Sequence, residues 1–268
     1  MNKRRILMVV TWSLLACSSG HAQDKDKAAP PVLQLTGGGE VARWSGEPLD
    51  DPAIGENTID WQYPVFKGGD KAALERLNAW TRTVSLAALF QDDALLQKAI
   101  RSKDSGVLAL LANDKAARES VMTQSKLFVS LRFARHITFD LHIEMPGQAR
   151  TTHGISHRIF DFKNGREVPV KSLFKSNAAL ELDGLLMDEI ALGLEEKKAS
   201  PSDIEHCQHE RPFEWGTVSI QSGSKIAVEF PNSSGDSAKC GEAHYILSGP
   251  AVRKLFLSPQ DFNKGVTL

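Results

Sequence analysis

The sequence is poor in the features that usually announce a function. Its 268 residues hold only 3 cysteines and 2 tyrosines, and 32 Lys and Arg stand against 33 Asp and Glu. That balance excludes the concentrated cationic footprint on which nucleic-acid binding depends. Beyond residue 17 no apolar run approaches the roughly 18 residues that would cross a bilayer as a helix. No Gly-x-Ser-x-Gly is present, and no Ser-x-x-Lys is followed by its partner motifs, so no motif marks a nucleophile. The "TGGGE" at 36–40 lacks the Gly-Lys-Ser/Thr ending of a phosphate loop, and a flexible linker is expected there.

What is present begins at the N-terminus. Lys3, Arg4 and Arg5 precede an apolar run from Ile6 to Ala16, the charged-then-apolar pattern of an export signal. Leu14-Leu15-Ala16-Cys17 resembles the lipobox of bacterial lipoproteins, in which Cys17 is acylated and becomes the new N-terminus. Ser18 after it favours the outer membrane. The alternative is cleavage after Ala22, where Gly20 and Ala22 supply the small residues a signal peptidase reads. Removal of residues 1–17 leaves 29 basic against 33 acidic side chains, a formal charge of about −4. Either cut leaves the pair Cys207 and Cys240. In an oxidising compartment such a pair is most simply one disulfide.

Residues 18–57 are rich in Lys, Asp, Pro, Gly and Ser and are expected to form a flexible tether, with the folded domain over 58–268. "IDWQYPVF" at 59–66 reads as a strand, placed at a sheet edge by Pro64. An amphipathic helix follows Asp70, a suitable N-cap, with Leu74, Leu77, Trp80 and Val84 on one face. Residues 92–122 continue helical, with a break expected at Ser105-Gly106. In "HITFDLHIEM" every odd position from Ile137 to Met145 is apolar, the pattern of a half-buried strand. "RTTHGISHRIFDF" returns beside it, its apolar parity changing between Ile159 and Phe160, which suggests a bulge. Asn164-Gly165 forms a tight turn, and a helix is expected at about 177–196 along Leu182, Leu185, Leu186, Ile190 and Leu194. A loop over 201–212, a hairpin about Ser222-Gly223 and a final extended piece, "PAVRKLFLSP", complete the chain. The order implies one α+β domain, a mainly antiparallel sheet packed against helices.

The candidate sites are histidine clusters. His153 and His157 share a strand face but stand about 13 Å apart, too far to ligate one ion together. A two-residue turn at 146–149 would instead set His142 opposite His153, with Glu144 beside them, as a candidate ligand-binding or metal cluster. A register shift of one residue would dissolve it. His206, Cys207, Cys240 and His244, with His209 nearby, offer an alternative zinc set. The disulfide competes for its two sulfurs. No cofactor is expected and no catalytic residue is assigned.

"YPVF" with a following helix bearing Leu77 and Asn78, "THG" at 152–154, and above all "FDFKNGREVPVKSLF" from Phe160 to Phe174 carry a resemblance. The chain resembles the domain of unknown function that forms the extracellular part of RsiV-type anti-sigma factors and adjoins some peptidoglycan deacetylases. The likeness covers roughly 59–262. "THG" stands where that family has "GGAH", and "CGEAHYILSG" replaces its tyrosine-rich segment, so no residue role is carried over. The resemblance implies a non-enzymatic extracytoplasmic domain that binds a protein, such as a lysozyme-type enzyme, or peptidoglycan. The alternatives are a metal-dependent cell-wall hydrolase or accessory factor built on the histidines, and a structural envelope protein.

Overall fold

The structure is a computed structural model describing residues 34–43, 58–68, 70–114, 117, 121, 124–145, 152–230, 240 and 243–265. Cys17, the cleavage site after Ala22 and the turn at 146–149 lie outside the described residues. Within Val32–Leu268, one compact unit, the chain forms an α+β domain. Its larger sheet has the order β1-β2-β3-β4-β5-β6, and its smaller one the order β7-β8-β9. Among the described residues no helix is long and apolar enough to cross a membrane.

The first departure from expectation is β1 (Gln34–Arg43), which occupies part of the expected tether and contains "TGGGE". It pairs antiparallel with β2 (Thr58–Lys67) along its whole length, from Gln34↔Lys67 to Arg43↔Thr58. That ladder satisfies the backbone where composition suggested solvation. Pro64 consequently faces Gly37 and does not stand at an open edge. On its other side β2 runs parallel to β3 (Gln124–Arg132) only at Asp60–Gln62. Farther along β2, α1 (Lys71–Leu89) takes over. The Asn78 amide accepts from Phe66 N at 2.8 Å and donates to Phe66 O at 3.0 Å, and Thr81 Oγ1 donates to the Pro64 carbonyl at 3.1 Å. Asn78 thus does for β2 what a neighbouring strand would do, while Leu77 beside it is fully buried.

Asp70 caps α1 by accepting from Ala73 N, and Asp92 caps α2 (Asp93–Arg101) by accepting from Leu95 N, both at 2.8 Å. The break before α3 (Asp104–Asn113) falls at Ser102-Lys103, with Gly106 inside the helix. The Arg82 guanidinium fastens this corner. It donates to the Ser102 carbonyl at 2.7 Å and, through Nε, to Asp104 Oδ1 at 2.7 Å. Cationic donors at a helix C-terminus satisfy its free carbonyls.

The larger sheet continues antiparallel through β3, β4 (His136–Met145), β5 (Thr152–Asp161) and the two-residue β6 (Arg166–Glu167). Its turn between β5 and β6 is organised by Asp161, whose side chain is buried. Oδ1 accepts from Lys163 N at 2.9 Å, and Oδ2 accepts from Asn164 Nδ2 at 2.7 Å and from Arg135 Nη2 at 2.6 Å. Gly165 then takes φ +63°, where a Cβ would meet the Arg76 side chain at 2.3 Å. The "FDFKNGR" phrase is therefore a structural turn.

A helix, α4 (Ala178–Glu196), follows and buries Leu182, Leu186, Ile190 and Leu194 as its spacing predicts, with Leu185 only half-buried at the edge of the stripe. Residues 201–210 form α5 (Pro201–Glu210) where a loop was expected. Ser200 caps it reciprocally with Asp203, and Pro201 sits in the first turn. The second sheet comprises β7 (Val218–Gln221), β8 (Lys225–Glu229) and β9 (His244–Leu247). The expected final strand is instead α6 (Gly249–Leu255), whose Val252 and Leu255, three apart, are buried together.

Two cores flank the larger sheet. One face carries Trp61, Leu127, Ile137, Phe139, Leu141 and Phe160 against α1–α3. The other face meets the second sheet and α4–α6 through Ile159, Val218, Ile220, Val228 and Phe262. The parity change at Ile159 and Phe160 has this cause. Adjacent residues point to opposite faces, and both faces are buried there, so β5 needs no bulge. The bulge lies in β3, where the register shifts between Val129 and Leu131. It sends Val129 to the first core and Leu131 to the second.

Candidate functional site

The second core covers only part of its sheet face. Toward Thr138 and Ile159 the face is sealed by β7 and β8. Toward Lys126, His142 and Glu144 it is half-buried, and there Phe128 and Ile155 stand 42% and 50% exposed. Phe128 meets the His142 ring edge-on at 5.3 Å, and Lys126 forms an ion pair with Asp60 of β2.

At the boundary between the covered and open parts is a cavity of about 50 Å³, lined among others by Ser130, Asp140, His157, Ser219, Gln221 and Glu229. The sheet register builds it. Asp140 lies directly opposite His157, and same-face neighbours across an antiparallel pair touch. His157 Nδ1 stands 2.8 Å from Asp140 Oδ1, and its Nε2 stands 3.6 Å from Glu229 Oε2 of β8. The imidazole is 8% exposed, and each carboxylate is 32% exposed.

Burial alone would pull the imidazole pKa down, but the Asp140 hydrogen bond and the charges of Asp140 and Glu229 outweigh it and raise the value. Burial likewise pushes the Asp140 carboxyl up. Contacts from His157 and Ser130 reverse this and leave it below the usual carboxylate range. Both shifts favour the imidazolium–carboxylate form of the pair. Ser130 sits in the β3 bulge. Its buried hydroxyl favours the Asp140 carboxylate without completing a hydrogen bond of full geometry among the described residues. The cavity exceeds the roughly 10–15 Å³ that a water needs, so Ser130 can be hydrated.

This is not the arrangement of an activated nucleophile. The serine adjoins the aspartate, and both ring nitrogens face carboxylates, leaving none to take a hydroxyl proton. Nor do the three groups converge on a point, since the carboxylates occupy opposite edges of one ring. Among the described residues no three or more His, Cys, Asp and Glu side chains converge as metal ligands.

The residues singled out from sequence fall as follows. The register of β4 and β5 sets His142 opposite Ile155 and His153 opposite Glu144, two residues away from the facing histidine pair. A shift of two preserves the faces, so His142 and Glu144 remain on one side of the sheet, with position 153 across the ladder from Glu144. Cys207 and Cys240 form a disulfide. The alternative zinc set thereby loses both thiolates, and His206 and His244 are left as exposed side chains, as is His209. Sequence reasoning missed Asp140 and Glu229 and dismissed His157 with its neighbour. Asp140 was recoverable from the alternation once a longer turn was allowed. Nothing local marks Glu229.

No family model matches the chain, and no curated protein matches it. Solved structures do. A DUF3298 family protein from Pseudomonas aeruginosa PAO1 aligns over 88% of this chain and 98% of its own, with a TM-score of 0.50 at 12% identity. The chain shares the fold of a DUF3298 protein. A second member of that family, from Bacteroides fragilis NCTC 9343, aligns over 82% of this chain and 90% of its own, with a TM-score of 0.44 at 12% identity. At such identity the likeness concerns the fold alone.

Proposed function

We propose that the chain is a non-enzymatic, extracytoplasmic binding domain of the cell envelope, related to the extracellular domain of RsiV-type proteins, whose ligand surface is the open part of the larger sheet. Three features support this reading. The N-terminal sequence has the form of an export signal, with Cys17 placed for acylation. Cys207 and Cys240 are joined, as suits an oxidising compartment. The observation that carries it is the uncovered face itself, where exposed Phe128 and Ile155 stand among Asp60, Lys126, His142 and Glu144. Isolated exposed apolar side chains are ordinary, but two on one rigid sheet face with polar neighbours have the make-up of a binding centre with a polar rim. The ligand is a protein, of the lysozyme type that the family resemblance implies. Peptidoglycan is the alternative.

The test is retention of a purified lysozyme, and separately of muropeptides, on the immobilised processed chain. Lysozyme is retained, and Phe128→Asp weakens retention at least about tenfold, as expected for a central aromatic anchor. Muropeptide retention alone would transfer the reading to peptidoglycan, and retention of neither would overturn it.

A further inference from the structure

The two carboxylates beside His157 belong to different sheets: Asp140 to β4 of the larger and Glu229 to β8 of the smaller. We infer that Asp140, His157 and Glu229 form a pH-sensitive latch between the sheets, in which charged His157 fastens β8 across the β4–β5 face and its deprotonation loosens the cleft mouth. This goes beyond the binding reading and does not depend on it.

The inference rests on donor counting. A charged imidazole donates from both ring nitrogens, whereas a neutral one donates from one and presents a lone pair at the other. Only the charged ring can therefore serve both carboxylates. When it is neutral, the proton stays at the shorter contact, 2.8 Å to Asp140. Glu229, at 3.6 Å, then faces a lone pair. The adjoining cavity of about 50 Å³ lets water enter beside the released carboxylate.

Among the described residues lining the cavity no other cation bridges the two carboxylates, and His244 of β9, set opposite Glu229 in the register, is exposed. From β3 comes Ser130, which is neutral, and from β7 come Ser219 and Gln221, neutral and hydrogen-bonded to each other at 3.0 Å. From β4, besides Asp140, comes His142, engaged with Phe128. On β5 itself Arg158 is committed to Glu167 of β6, Nη1 to Oε1 at 3.0 Å. The apolar packing of Val218, Ile220, Ile226 and Val228 persists in either state, so the change is confined to the cleft mouth.

The sign follows from the raised imidazole pKa. The charged form is favoured by folding, so the latch is fastened below the free imidazole value of about 6.5 and is lost as pH rises through the higher folded value.

The test uses the whole folded chain, following the histidine ring signals and backbone amides by NMR between about pH 5 and 9. His157 titrates above the free-imidazole midpoint. The amides of Ser219, Gln221 and Glu229 shift with that same midpoint, and amide exchange in β7 and β8, corrected for its intrinsic rate, accelerates above it. Glu229→Gln lowers the His157 midpoint and abolishes the shared transition, whereas His142→Gln leaves it in place. A His157 midpoint at or below that of free imidazole would overturn the latch. So would β7 and β8 amides that ignore it, or a Glu229→Gln chain that behaves like the parent. Glu229 is a third exposed, so this variant folds and decides the matter even where His157→Gln does not.

Discussion

The two faces of the larger sheet are made by the same strands and differ in what covers them. On the helix side β3, β4 and β5 contribute Leu127, Phe139, Leu141 and Phe160, all fully or almost fully buried. On the other side the same strands contribute Lys126, Phe128, Asp140, His142, Ile155 and His157, sealed at one end by the second sheet and open at the other. A sheet needs only one face to hold it folded, so the second is free to carry charge and cavities. The helix side is core throughout, whereas the other side holds both a core and the cavity beside His157. The boundary between sealed and open halves falls at the Ser130 bulge, where β3 changes the core it serves.

The comparison breaks most severely from the helix side. Phe139 is fully buried and packs against Phe66 and Trp80 at 6.2 and 5.0 Å between ring centroids. Phe139→Ala is expected to cost about 3–5 kcal/mol in chemical unfolding, the range for large aromatic truncations in a core. Next comes the disulfide, which ties α5 to Cys240 within the second core. Its loop, with a sequence separation of 33, corresponds to about 3–4 kcal/mol on the chain-entropy model. Cys207→Ser with Cys240→Ser should lower the unfolding free energy by that amount, and dithiothreitol should reproduce the loss in the parent.

Asp161 is a smaller and pH-dependent case. Burial would raise its carboxyl pKa, but hydrogen bonds from Arg135 and Asn164 outweigh this and hold it low. A depressed carboxyl contributes stability above its unfolded value of about 3.8, and that contribution is lost as pH falls through the folded value. Asp161→Asn should cost about 2 kcal/mol at neutral pH, with the exposed Arg135 partner discounted for solvent. The difference should vanish in acid denaturation curves.

The helix side was readable from sequence because one-sided burial leaves a period. Ile137, Phe139 and Leu141 announce β4, and Leu182, Leu186, Ile190 and Leu194 announce α4. The cleft was not readable, for three physical reasons. The length of the β4–β5 turn sets which residue opposes Asp140, and a change of two residues preserves the apolar alternation that a reader can check. Burial on both faces at Ile159 and Phe160 imitates a bulge, while the true bulge at Ser130 lies in a strand whose polar residues hide it. Glu229 arrives from another sheet, and no local spacing encodes that approach. The capping signal of α5 was present in Ser200, Pro201 and Asp203, yet its length and few buried side chains gave no apolar stripe to confirm it.

The smallest expected effect sharpens the contrast most. Phe128 lies one strand from Phe139 in the same sheet, but on the open face, 42% exposed and touching the edge of the His142 ring. Were hydrophobicity the determinant, Phe128→Ala and Phe139→Ala would cost alike. Burial is the determinant, because only area removed from water contributes, at about 25 cal/mol per Å². Phe128, still more than half removed from water, should therefore cost about 1–1.5 kcal/mol on truncation to Ala in chemical unfolding, well below Phe139→Ala. A loss of several kcal/mol would mean that the open face is covered in solution. A Phe128→Ala chain that shows only the small cost and nonetheless weakens ligand retention at least about tenfold would place the aromatic ring in recognition.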